Sequence, residues 1–483
     1  MDEHGTGWDP RAREAVTSEL LRATAERAIA YRASLASRRV GARPGLTAEE
    51  LRSRLGGRLP AAGIEPAALV EELARDVDDG LVTMGSPRYF GFVIGGSVPA
   101  ALAVDWLVSA WDQNVGLYLA TPAAAVVEEV AADWLVDLLG LPAGTSVGFV
   151  TGATMANFTA VAAARHRVLR AAGWDVEEDG LAGAPPVHVV VGEHVHASMV
   201  VALRLAGLGR RTARRVAVDE EGAMRPADLR RVLAELPPGP TIVAAQAGEV
   251  NTGAFDPLDE IADIVRARPG AWLHVDGAFG LWAAASPALR HLARGLDRAD
   301  SWATDAHKWL NVPYDAGVVF VRDAAAHRAA MSVSASYLTP APGSERDPWE
   351  YVPELSRRGR GFVVYAALRS LGRDGVRDMV EASCAVARRM ADRLARSPGV
   401  EIINEVVLNQ VLVRFGASDA VTAEVIRRIQ EDGTAWASGT TWAGRAAMRI
   451  SVSNWATTPE DGDRAVDAML AALAASVDDG ASS

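Results

Sequence analysis

AWLHVDGAFGLWAAASPALRHLARGLDRADSWATDAHKWL, residues 271–310, decides the reading of the fold. Its first six residues form an apolar run that stops at Asp276-Gly277, as a buried strand does. Working outward, TIVAAQ at 241–246 precedes the helical pattern LDEIADIVRA, and AGVVFV at 316–321 reads as the next strand. VHVVV at 187–191 leads into a helix through residue 206, and VGFV at 147–150 leads into a helix starting near Met155. Short apolar strands alternating with helices predict an α/β fold with a mainly parallel sheet covered on both faces. Ligands of such sheets sit at the carboxyl ends of the strands, so the residues just after each strand are the candidates for chemistry.

The flanks read differently. REAVTSELLRATAERAIAYRASL has apolar residues at three- and four-residue spacing, and TAEELRSRLGG opens with the capping-box pair Thr47 and Glu50. Such amphipathic helices need a surface to lie on, either the main domain or a second subunit. TPAAAVVEEVAADWLVDLLG ends at Gly140 and is followed by Pro142, as helices end. Beyond residue 375 the helix GVRDMVEASCAVARRMADRL precedes strand-like EIIN, VVLNQVLVRF and AAMRISVS, an α+β pattern. The expected division is an N-terminal helical dimerisation segment (1–95), a large domain (96–375) and a small C-terminal α+β domain (376–483). APGSERDP at 341–348 is expected to be a mobile loop.

A net charge of −12 argues against nucleic acid and anionic membrane as partners, since either needs a basic face. A small-molecule substrate fits better. With no signal-like N-terminus and no apolar run of about 18 residues, a cytoplasmic protein is expected. The lone cysteine, Cys384, lies in a helical run and reads as a core residue rather than a nucleophile.

Of the 49 basic residues, Lys308 is the one lysine and the rest are arginine. A guanidinium stays protonated and makes no ordinary imine, whereas a lysine amine can attack an aldehyde. A unique lysine at a strand end therefore asks for a chemical explanation beyond charge. Asp276 ends a buried strand, where a carboxylate is costly unless a cation pairs with it. A protonated pyridine nitrogen is such a cation, and a helix cap or a structural ion pair is the other reading. Thr151-Gly152-Ala153-Thr154 carries strand into helix and suits a phosphate, or serves simply as a turn. His196, in GEHVHASM, could stack on a flat ring or be an ordinary hydrogen-bonded histidine.

Taken in order, TGATMAN, EHVHASM, NTGAFDP, HVDGAFG and ADSWATDAHKWL resemble the group II pyridoxal 5′-phosphate-dependent amino-acid decarboxylases, which include the aromatic-amino-acid and glutamate decarboxylases. The likeness runs from about Pro87 to MRISVSN near residue 453. It implies fold type I, with a seven-stranded-type sheet, and a homodimer whose active sites lie at the interface. It also implies that Lys308 holds the cofactor through a Schiff base, Asp276 pairs with the pyridine nitrogen, His196 stacks on the ring and Ala278 packs on the opposite face. Ala153 and Thr154, with His307 nearby, would hold the phosphate. The implied activity is decarboxylation of an L-amino acid to an amine.

The sequence departs from the family pattern at several points. Glu249 stands where relatives often have threonine, Asp305 replaces the asparagine of Asn-Pro-His-Lys, and Phe279 replaces a tyrosine. Pro348 falls near the loop tyrosine that commonly donates a proton, with Tyr351 a few residues on as the candidate substitute. Other outcomes of the same chemistry are an aldehyde by decarboxylative oxidation, transamination or elimination. A non-catalytic, cofactor-retaining module is a reading of a different class. Arg88, Arg357 and Arg358 are candidates for binding a substrate carboxylate or for structural ion pairs.

Overall fold

The computed structural model describes residues 10–333 and 345–481. At its centre are β1 (Ser146–Val150), β2 (His188–Gly192), β3 (Arg214–Val216), β4 (Thr241–Gln246), β5 (Ala271–Asp276), β6 (Ser301–Asp305) and β7 (Gly317–Val321). They form one sheet in the order β1-β7-β6-β5-β4-β2-β3. β7 is antiparallel to both its neighbours and the other pairings are parallel.

Alternate residues of each strand feed two cores, which is why the strands read as continuous apolar runs. Val243, Ala245, Leu273 and Val275 join one cluster, with Ile261 and Val265 of helix Leu258–Arg266 and Val363 and Val364 of helix Arg360–Ala395. Ile242, Ala244 and Trp272 join the other, under helix Ala153–Ala171. The fold is therefore the fold type I α/β arrangement that the sequence implied.

A second sheet contains β8 (Val400–Ile402), β9 (Gln410–Phe415), β10 (Ser438–Trp442) and β11 (Arg445–Ser451) in the all-antiparallel order β10-β11-β9-β8. Helix Arg360–Ala395 serves the first of those cores through Val363 and Val364 and the core of the second sheet through Val386, Ala387 and Met390, which pack with Val411 and Val413. It bends at Gly372, whose φ of 63° lies in the left-handed region that a side chain disfavours. Cys384 is buried on this helix and burial pushes its thiol up to about 12, so it packs rather than reacts.

At the N-terminal end, Thr47 Oγ1 accepts from Glu50 N–H at 3.1 Å, one half of the expected capping box. Helices Thr17–Ser34, Ala48–Leu55 and Pro66–Asp78 contain no buried residue. Among the described residues no helix is long and apolar enough to cross a membrane. Of the stretch expected to be a mobile loop, 341–344 lie outside the described residues. Pro348 is buried, and the Arg346 guanidinium donates to the Val147 carbonyl.

Candidate active site

Strand ends and the turns after them assemble one polar cluster. Asp276, at the end of β5, is 6% exposed. Its Oδ2 accepts from Asn157 Nδ2 at 2.8 Å and lies 3.4 Å from Ser198 Oγ, whose one proton goes to His196 Nδ1 at 2.8 Å, and its Oδ1 accepts from Ala278 N–H at 3.2 Å. Among the described residues no cation forms an ion pair with it.

A directional chain stands behind this carboxylate. Trp272 Nε1 donates to Ser301 Oγ at 2.8 Å, and Ser301 Oγ lies 2.9 Å from His274 Nδ1. His274 Nε2 lies 2.9 Å from Asn157 Oδ1. Because Asn157 gives its amide hydrogens to Asp276 and Ser198, its oxygen must accept, so His274 carries its proton on Nε2 and accepts at Nδ1 from Ser301. Every bond then points toward Asp276. Burial pushes His274 down to about 4, which keeps it neutral and the chain in this one orientation.

His196 caps helix Ala197–Leu205. Its Nδ1 accepts from Ser198 N–H at 3.2 Å, and its own N–H donates to Gln246 Oε1 at 3.0 Å, so three strand ends share one network. Burial lowers its pKa, against the pull of Asp276.

Lys308 lies on the turn after β6. Its Nζ is 2.9 Å from Asp305 Oδ2, while Asp305 Oδ1 accepts from Ala153 N–H at 2.5 Å. Gly317 pairs with both Val150 and Asp305 across β7, and a Cβ there would lie 2.4 Å from Gly152 Cα, so glycine alone permits this approach. His307 Nδ1 accepts from Ala316 N–H at 3.1 Å, its ring stacks on Tyr314 at 4.1 Å, and burial lowers its pKa. Asn311 fixes the far side of the turn. Its Oδ1 accepts from Gly96 N–H at 2.5 Å and Trp455 N–H at 3.0 Å, and its Nδ2 donates to Ser453 O at 3.0 Å, joining both domains beside Lys308.

The pyridoxal-dependent decarboxylase conserved domain matches residues 50–416. The chain belongs to this family. It is 28% identical over 442 residues to tryptophan decarboxylase 1 of Oryza sativa subsp. japonica, covering 85% of this chain and 84% of that protein. The crystal structure of mouse cysteine sulfinic acid decarboxylase superposes with a TM-score of 0.87 at 26% identity, over 96% of this chain and 99% of the other. That of Rhodiola rosea 4-hydroxyphenylacetaldehyde synthase shares the fold, with a TM-score of 0.84 at 21% identity over 97% and 99% of the two chains.

The protein is thus a pyridoxal 5′-phosphate-dependent carboxy-lyase of amino-acid metabolism. Its residues fit the cofactor: among the described residues the buried Asp276 carboxylate has neutral donors and no ion-paired cation, which suits a protonated pyridine nitrogen, and the strand beside it leads to the lone lysine.

Around this cluster, the family departures find their places. Glu249 accepts from Asn251 N–H (2.6 Å), Asn251 Nδ2 (2.9 Å) and Thr252 N–H (2.8 Å), so its carboxylate is spent on its own turn. Arg88 is held by Thr434 O and Ala36 O, Arg357 by Glu128, and Arg358 by Asp105; all three are structurally committed. A buried arginine that the sequence reading passed over is Arg449 on β11. It donates to Val250 O at 3.3 Å, its Nε lacks a partner, and its charge is felt at His196. The signal available was a lone charge in the apolar strand AAMRISVS.

Among the described residues no hydrogen bond or ring contact joins Tyr351 to Lys308. Its ring lies under the Arg346 guanidinium at 3.9 Å and edge-on to His327 at 5.4 Å, beside the amino-terminal half of β1. Thr154 opens helix Ala153–Ala171 next to Ala153, and Ala278 follows Asp276 in the cluster.

Proposed function

We propose that this decarboxylase removes the carboxylate of an L-amino acid at the Lys308 cluster to give an amine, with Lys308 as the attachment point of the cofactor. The observation that carries the reading is Asp276, a buried carboxylate held by neutral donors from Asn157 and the Ala278 amide, aligned in register beside the strand that leads to the unique lysine. Bound there, pyridoxal 5′-phosphate supplies an electron sink for the pair left on Cα when carbon dioxide departs. Asp276 holds the proton on the pyridine nitrogen, and the Trp272–Ser301–His274–Asn157 chain keeps its carboxylate oriented. His196 offers one ring face for stacking and Ala278 a small surface for the other. Ala153 and Thr154, with His307, hold the phosphate at the helix N-terminus. Arg449 supplies positive charge for a substrate carboxylate, having an unpartnered Nε and little solvent to screen it.

The working unit is a homodimer in the cytoplasm. Helices that bury none of their residues, together with exposed Leu21, Ile29, Leu69, Leu73, Trp106 and Leu107, support a second copy as their cover.

The placement of Tyr351 favours a second product. If no group delivers a proton to Cα, dioxygen serves as oxidant and the amino acid yields an aldehyde, carbon dioxide, ammonia and hydrogen peroxide, with one water consumed.

The test is the visible spectrum of the purified protein beside Lys308→Ala, followed by a panel of L-amino acids with carbon dioxide, amine, aldehyde and peroxide measured. A long-wavelength cofactor band in the wild type and its loss in the variant are expected, with one carbon dioxide per amine. A band that survives in Lys308→Ala overturns the assignment of Lys308. Aldehyde with peroxide selects the second product, and substrate loss without carbon dioxide rejects both.

A further inference from the structure

Asp305 occupies two places that a bound cofactor needs. Helix Ala153–Ala171 opens at Gly152 without a side-chain cap from its own segment, and its first amide is served instead by Asp305 Oδ1, from a different strand, at 2.5 Å. The other oxygen of the same carboxylate holds Lys308 Nζ at 2.9 Å. Asp305 is 3% exposed and its backbone is fixed by the Asp305 N–H bond to Ala278 O at 2.9 Å, so this bridge is built into the cluster rather than draped over it. The remaining ionisable groups that feel it are His307, with Nε2 at 3.5 Å, Tyr314 and His196, and Asp315 acts on His307 in turn. None of these donates to Asp305 as closely as Lys308 and the Ala153 amide do.

A phosphate at this helix N-terminus needs the Ala153 N–H, and attachment of the cofactor needs the Lys308 amine. Two anions cannot share one buried amide without strong repulsion. We propose that Asp305 is a positioning residue that latches the cofactor-free site: it substitutes for the phosphate at Ala153 and for the cofactor at Lys308, and loading the cofactor displaces it from both. The inference rests on the reading of Lys308 as the attachment point. Cofactor is then held more loosely, and exchanged more readily, than the rest of the seat would dictate.

The test titrates cofactor-free protein with pyridoxal 5′-phosphate and, separately, with pyridoxal, reading absorbance and the melting temperature with and without ligand. Asp305→Asn keeps an oxygen for the Ala153 amide and removes the charge. It is expected to bind pyridoxal 5′-phosphate about tenfold more tightly, to gain less for pyridoxal, and to lose cofactor more slowly on dialysis. Its cofactor-free form melts lower while the melting increase on loading grows. A merely structural role would lower both melting temperatures together and leave the increase unchanged. Asp305→Ser, which also keeps an acceptor, gives the same direction should the asparagine variant fail to fold. Unchanged or weaker affinity in the folded variant overturns the latch. A cofactor band retained in Lys308→Ala would instead remove the reading beneath it, so the two failures are distinguishable.

Discussion

Around Asp276 the chain satisfies its polar atoms from within. Asn157, Ser198, His274, Ser301, Trp272 and the Ala278 amide each have a partner, and the whole sits at the ends of strands that bury both faces. The N-terminal helices are the opposite case. They carry apolar side chains at helical spacing, yet Leu21, Ile29, Leu69 and Leu73 remain exposed and no residue of the three helices is buried. The first region closes its hydrogen bonds internally, and the second leaves apolar side chains uncovered. A substitution in the first should therefore alter chemistry with assembly intact, and one in the second should alter assembly with the cofactor seat intact.

Asp276→Asn puts the most strain on that separation. With Asp276 facing the pyridine nitrogen as proposed, losing its charge should slow carbon dioxide release by about 10²–10³-fold, while sedimentation stays close to wild type. A variant that also falls apart into monomers would mean that seat and interface are one cooperative unit.

The converse change is Leu73→Asp combined with Trp106→Arg, both at exposed apolar positions. Charge placed there should raise the dissociation constant of the proposed dimer about 30-fold, the scale of one lost interface anchor. Sedimentation velocity reads the change, and the cofactor band of each folded chain is expected to persist. An unchanged sedimentation profile would remove these helices from the interface.

How far the sequence discloses each region follows from the same difference. β4 and β5 appear in the structure with the bounds their apolar runs predict, because a strand buried on both faces is written as continuous hydrophobicity. β3 and β10 were not legible: RRV is three residues with two exposed arginines, and SGTTW has too little apolar content to stand out. Lys308 and Asp276 are legible as candidates, the first as the one lysine and the second as a charge ending an apolar run. Asn157, Ser301 and His274 are not, since their importance arises from hydrogen bonds spanning 27 to 119 residues of sequence. Nor could Glu249 be told from a ring-facing carboxylate until its turn supplied the donors that consume it.

The smallest expected effect tests whether the seat is held neutral from behind. His274 is pushed from its usual 6.5 down to about 4 by burial, so between those values the unfolded chain binds a proton at this imidazole that the folded chain refuses. Its contribution is therefore complete above pH 6.5 and is lost as pH falls toward 4. Between pH 7 and 5.5 it amounts to about 1 kcal/mol of stability. His327, pushed down to about 3, acts in the same direction, and Asp256, raised to about 6, acts oppositely. Both are present in wild type and in His274→Gln, so they cancel when urea midpoints of the two proteins are compared across that range. The wild type should lose more stability on acidification than the variant. Equal slopes would mean that His274 takes up its proton in the folded chain, which would reverse its bond to Ser301 and break the single direction of the chain that ends on Asp276.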